Sequence, residues 1–157
     1  MQLWTQKPLN KGFTLIELLV AMSITLLLAG GVVAAFNTFN DNQRVQQGAV
    51  TLKSNLRFAQ NKAISGDKPD GCGILDGYTV TFASNIYSMQ AVCDGVATGT
   101  AVTFSLPTGI AFTPVPTAIT FAVLSGRVGG DRTITISGLY KSFAVTVSAD
   151  GSVSTTY

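Results

Sequence analysis

One stretch constrains this chain more than any other: FTLIELLVAMSITLLLAGGVVAAF, 24 residues from Phe13 to Phe36 with a single charge, Glu17. As a helix rising 1.5 Å per residue it would extend about 36 Å, enough to cross a hydrocarbon core of about 30 Å. Lys7 and Lys11 precede the run and no acid does. The positive-inside rule then keeps the N-terminus cytoplasmic and sends everything after Phe36 across the membrane. A secretory signal peptide would carry a shorter apolar region, about 7 to 15 residues, and would tolerate a buried glutamate poorly. An ionised carboxylate in lipid costs about 2.5 to 3.5 kcal/mol and calls for a cation, yet the run holds no lysine or arginine. Cleavage between Gly12 and Phe13 would create a new α-amino group, on this molecule or its neighbour. Glu17 would then be an assembly device.

Beyond Phe36 the polarity changes while the helical signal persists. Val45, Ala49, Leu52, Leu56, Ala59 and Ala63 form one apolar stripe at helical period, with Arg44, Gln47, Lys53, Arg57 and Lys62 mostly off it. Such a stripe is the face that covers a sheet. Gly66 suits the C′ position after Ser65 and Pro69 prevents resumption, so the helix is expected to end near Ser65. The paired Gly30 and Gly31 each weaken the membrane half by about 1 kcal/mol relative to alanine. They serve either as close-packing residues between helices or as a hinge.

From residue 78 the period falls to two. Segments 78–82, 86–92, 101–106, 118–123, 132–136 and 143–147 are rich in β-branched and aromatic residues and separated by Gly, Pro, Asn and Asp. A short strand at 152–155 is expected after the Asp150-Gly151 turn. One long helix followed by strands argues an α+β fold, an N-terminal helical spine carrying a C-terminal antiparallel β head.

Residues Lys11-Gly12-Phe13-Thr14-Leu15-Ile16-Glu17-Leu18 resemble the class III leader junction of type IV pilins and type II secretion pseudopilins. The resemblance implies that a prepilin peptidase/methyltransferase cuts after Gly12 on the cytoplasmic side and methylates the amine of Phe13. It implies also that Glu17 pairs with the N-terminal amine of an adjacent subunit. Loss of Lys7 and Lys11 would leave 8 cations against 8 acids, from 10 and 8 in the full chain. The order of one helix and about seven strands is similar to FimT/GspH-type minor pilins and pseudopilins, on Leu52, Leu56, Ala59, Ala63 and Ile64 ahead of Gly66 and the alternations at 134–136 and 145–147. In that family the spine is often locally melted, with a proline downstream where this chain has Ala34, which makes Gly30 and Gly31 the hinge candidates. The implied organisation is a leader at 1–12, a transmembrane and polymerising half at 13–36, an amphipathic half at 37–65 and a pilin head at 66–157. The implied partners are other pilin subunits, an inner-membrane assembly platform, and membrane lipid before assembly. The implied location is the inner membrane, single-pass, and then a periplasmic or extracellular filament.

Composition narrows the chemistry further. The 157 residues contain no histidine, one glutamate and seven aspartates, which removes Ser-His-Asp triads, Cys-His pairs and His-ligated metal sites. No phosphate-cradling loop or nucleophile elbow occurs, so no catalytic residue, cofactor or metal is expected. Cys72 and Cys93, in the exported part, are expected to form a structural disulfide, two free thiols being the alternative. Asp67, Asp70 and Asp76 among glycines match no calcium-loop spacing and read as a solvated loop. Arg127, Arg132 and Lys141 form a candidate basic patch for weak, salt-sensitive DNA contact. The tail Ser152–Tyr157 carries no charged side chain and adds nothing to it. The expected function is therefore a structural, minor filament subunit of a type IV pilus or a type II secretion pseudopilus, with two rivals: a DNA-capturing tip pilin for natural transformation, and a membrane-anchored β domain that never polymerises.

Overall fold

The computed structural model describes residues 12–156, with the side chains of 30–35 outside that description. The chain divides into two compact units, Met1–Asn37 and Thr38–Tyr157, and helix α1 (Leu15–Ser65) contributes to both.

In the first unit the helix begins at a side-chain cap. Thr14 is the N-cap, and its Oγ1 accepts from the Glu17 backbone N–H at 3.3 Å, so the sequence Thr14-Leu15-Ile16-Glu17 supplies one half of a capping box. Glu17 thus lies in the first turn, where the helix dipole favours a negative charge. The hydroxyls inside the apolar stretch turn back onto the helix. Ser23 donates to Leu19 O at 2.8 Å and Thr25 to Ala21 O at 3.0 Å, which leaves no hydroxyl needing an outside partner in apolar surroundings. The described apolar side chains of this unit are exposed, Leu27 being 80% exposed. Among the described residues no helix is long and apolar enough to cross a membrane. The described apolar part, 15–29, rises only about 22 Å, and the sequence run 13–36 continues through the residues whose side chains are not described.

In the second unit the expected stripe is the centre of the core. Val45, Leu52, Leu56, Ala59 and Ala63 are completely buried and Ala49 nearly so. The helix stops as its sequence dictates. Gly66 takes φ +66°, its N–H reaches Ala63 O at 3.2 Å, and Asp67 N–H reaches Lys62 O at 3.1 Å, which together make a Schellman end. Eight strands follow: β1 (Leu75–Phe82), β2 (Ile86–Cys93), β3 (Val96–Ser105), β4 (Ala111–Phe112), β5 (Ile119–Ala122), β6 (Arg132–Ser137), β7 (Ser142–Val147) and β8 (Val153–Thr156). They form two four-stranded antiparallel sheets, ordered β3-β2-β1-β5 and β4-β6-β7-β8. Alternate residues face inward as strand geometry requires: Tyr78 and Val80 from β1, Tyr87, Met89 and Ala91 from β2, Ile134 and Ile136 from β6, Val145 and Val147 from β7. These side chains and the helix stripe make one hydrophobic cluster.

Two strands depart from the alternation-based expectation. The two-residue β4 is too short to show a period, yet Phe112 is buried and packs its ring edge-on to Phe82 at 5.3 Å and Tyr87 at 6.0 Å. Strand β3 starts at Val96 rather than 101, because Asp94-Gly95 makes a tight hairpin turn with both φ values positive, 52° and 76°. A bulge at Gly99 then interrupts its alternation: Ala91 pairs with Thr98 while Met89 pairs with Val102. Cys72 and Cys93 are joined by a disulfide, with Cα atoms 5.5 Å apart, tying the segment before β1 to the end of β2. Closing a loop of sequence separation 21 stabilises by about 3 kcal/mol in the chain-entropy account.

Because Leu56 is wholly enclosed between helix and sheets, Leu56→Ala is expected to cost about 3 kcal/mol. The readout is a lower denaturant midpoint of the β signal with an unchanged slope.

Candidate functional site

Two regions carry the features that bear on function: the N-terminal junction and the polar ties between α1 and the head. At the junction, Gly12 and Phe13 precede the helix in an exposed segment without regular secondary structure, with Phe13 83% exposed. A cut after Gly12 would leave the new amine one residue before the Thr14 cap. Glu17 stands three residues beyond that cap with no cation of its own chain paired to it among the described residues. The T-x-x-E pattern was open to reading in the sequence as a helix start, and it gives Glu17 a local role beside any intermolecular one. The leader residues 1–11 lie outside the described residues. Gly30 and Gly31 lie in helical backbone, and their surroundings also lie outside the described residues.

In the head, four helix side chains bind backbone or side-chain groups far away in sequence. Asp41 is the most heavily engaged. Its carboxylate accepts the backbone N–H groups of Leu139 at 3.0 Å, Tyr140 at 2.8 Å and Lys141 at 3.1 Å, gripping the β6–β7 turn. Burial raises the Asp41 pKa, but the three N–H donors, with Arg44 nearby, outweigh it and hold the carboxyl below its ordinary value. At the other end of this part of the helix, Gln60 donates to Gly151 O at 2.9 Å and Gly126 O at 3.3 Å. Arg57 donates to Val153 O at 3.2 Å, and Asn55 to the Tyr87 hydroxyl at 2.8 Å. The helix is therefore tied to both sheets. No local pattern announces these ties, since their partners lie 32 to 100 positions away.

The acidic loop is similarly committed to structure. Lys62 forms an ion pair with Asp67, whose carbonyl accepts from the Tyr78 hydroxyl at 2.7 Å, and Asp76 accepts from Gly95 N–H at 2.7 Å. Among the described residues no three metal-ligating side chains converge. The three candidate DNA-contacting cations are not brought together. Arg132 opens β6 opposite Val147, whereas Lys141 lies beyond the Ser137–Ser142 pair at the other end of the same hairpin, roughly 17 Å away at strand rise. Arg127 shares Arg132's end, where its carbonyl accepts from Ala122 N–H and Val128 N–H reaches Ala149 O.

Residues 7–33 match the prokaryotic N-terminal methylation motif. The fold is similar to that of the crystal structure of the type IV minor pilin FimU of Pseudomonas aeruginosa, with a TM-score of 0.54 and 15% identity over 71% of this chain and 92% of that chain. No curated protein matches the sequence. The chain thus pairs an N-terminal methylation motif with a helix-plus-β-head fold similar to that of FimU.

The Asp41 tie gives a pH signature. Because its pKa is lowered on folding, the stabilisation is fully present above the unfolded value near pH 3.9 and is lost as pH falls through the folded value. Asp41→Asn is expected to weaken the tie at neutral pH and to flatten the acid limb of the stability profile. Amide exchange at Leu139, Tyr140 and Lys141, followed by NMR, should speed up in the variant while exchange in β1 and β2 stays slow.

Proposed function

We propose that this chain is a minor structural subunit of a type IV pilus, made as a membrane-anchored precursor, cut after Gly12, methylated at Phe13 and assembled through its N-terminal helix. The observation that carries the reading is the contrast between the two units. In the head the helix buries an unbroken stripe from Val45 to Ala63, whereas Phe13, Leu15, Ile16, Leu26, Leu27 and Leu28 are all exposed. At about 25 cal/mol per Å² of apolar surface, leaving such a run in water is strongly unfavourable, so lipid or other apolar helices must cover it. Lipid serves before assembly, and the spines of neighbouring subunits serve afterwards.

In this scheme Glu17 selects register. Sliding one spine past another by a helical turn would leave its carboxylate away from the partner's N-terminal amine, uncompensated in an apolar interior. The exposed first-turn position of Glu17 leaves its side chain available for that pairing. Gly30 and Gly31 fit a local yielding point in the same half, because glycine is the residue that weakens a helix interior without proline. DNA capture gains no support from the head geometry, with Lys141 held at the opposite hairpin end from Arg127 and Arg132.

Intact-mass and N-terminal peptide spectrometry on protein from its native membrane tests the processing step. A chain beginning at N-methylated Phe13 is expected, and one retaining Met1 would overturn it. Glu17→Ala should be processed normally yet be absent from sheared filaments; normal incorporation would remove Glu17 from the mechanism.

A further inference from the structure

The last strand of the head leaves one side of its backbone open. Ser148 N–H donates to Ser152 O at 2.9 Å, so residues 148 and 152 face each other across the turn between β7 and β8. Antiparallel pairing alternates, and the Val147–Val153 and Val145–Thr155 pairs are therefore the ones whose backbone groups turn away from each other. Those of Val153 and Thr155 point to the free edge, because β8 ends its sheet. Arg57 agrees with this geometry, donating to Val153 O at 3.2 Å. Among the described residues nothing bonds the outward groups of Thr155. The strand also runs in step with α1. Gln60 reaches Gly151 O and Arg57 reaches Val153 O, so Thr155 comes alongside the preceding helical turn, where a groove of about 510 Å³ opens. Val50 and Phe58 line it, 51% and 46% exposed, with Lys53 and Arg57 between them in sequence. No carboxylate lines the groove, and among the described residues neither cation is paired with an acid.

From this arrangement we propose that the groove takes an extended acidic segment of another protein, added to β8 as a fifth strand of its sheet. The edge sets the occupant's shape, since an extended backbone is what presents N–H and C=O groups at the spacing of Val153 and Thr155. The unpaired Lys53 and Arg57 set its charge. Its side-chain pattern follows from two rises. Val50 and Phe58 are eight helical positions apart, about 12 Å, and alternate residues of a strand are about 6.7 Å apart, so three successive helix-facing side chains span the groove. The outer two meet Val50 and Phe58, and the middle one, an aspartate or glutamate, falls between Lys53 and Arg57. Arg57 now gives Val153 O the donor that an added strand would give; the incoming N–H replaces it and leaves the guanidinium to the acid. A second copy's β8 is the poorer occupant. Residues 152–156 hold no acid, and pairing two such edges would set the cations of one copy against those of the other. The groove lies wholly in the head and gives it a recognition role besides the structural one.

The test uses the full chain in nonionic detergent at low salt and a fluorescein-labelled peptide, acetyl-Thr-Val-Thr-Glu-Thr-Val-Thr-amide, titrated by anisotropy. Its symmetric pattern lets it pair with β8 in either direction. Saturable binding is expected, about fivefold weaker when Gln replaces the peptide's Glu, as for an exposed ion pair. Lys53→Glu leaves the Arg57 and Gln60 ties to β8 in place and should weaken binding of the Glu peptide while strengthening that of a peptide with Lys at the same position. Amide exchange followed by NMR should slow at Val153 and Thr155 when peptide is bound, with Ser154, whose backbone faces β7, unchanged. No binding at millimolar peptide would overturn the proposal, as would equal affinity for the Gln peptide. Binding without slower exchange at Thr155 would overturn it too, leaving only adhesion to two cations, and so would equally tight binding of an oligothymidylate of the same charge. Protection of Thr155 that rises with protein concentration in the absence of peptide would overturn it in favour of a second copy at the edge. Each of these outcomes is separate from the N-terminal mass measurement that tests the filament reading.

Discussion

Everything in the head depends on one helix face having to serve two sheets at once. The stripe from Val45 to Ala63 is the shared wall of the core, and the inward residues of β1, β2, β6 and β7 converge on it. Small residues at Ala49, Ala59 and Ala63 flank Leu52 and Leu56, so the helix can lie close to both sheets while the leucines fill the space between them. The sheets have no strand in common, and the helix stripe and the inner faces of both belong to one cluster. Polar groups are fitted around this constraint rather than through it. Among the described residues no buried side-chain polar atom lacks a partner, and none of the buried core positions is polar.

The parts of the fold that follow from local chemistry were legible in the sequence. The helix stripe, the Gly66 stop and the strand segments from 78 onward each express a period or a turn residue, and they stand where their residues place them. Strand β4 and the early start of β3 escape periodicity for separate reasons. Two residues cannot show alternation, and the Gly99 bulge breaks it in the other case. The Asp94-Gly95 pair does carry a hairpin signature, as does Thr14-x-x-Glu17 for the helix start, so both were readable. Asp41 was not. An aspartate in a polar helix segment has many ordinary explanations, and its three donors lie 98 to 100 residues away.

The candidate basic patch shows why composition of neighbouring loops is a poor guide to a surface. Arg132 and Lys141 are nine positions apart, on one hairpin. The register sets them apart: six-residue strands pair from Arg132–Val147 to Ser137–Ser142, so residues at the mouth and at the tip of one hairpin face opposite ends of the head. Strand pairing, which sequence alone leaves open, decides which charges can act on one ligand.

The ties from helix to head also have a mechanical meaning. Asp41 holds the β6–β7 turn, while Arg57 and Gln60 hold the Val153, Gly126 and Gly151 carbonyls at the far end of the same helix segment. A force drawn along this segment therefore loads contacts at both ends together, in shear, rather than peeling them one after another. A head fastened in that way yields as a whole or not at all.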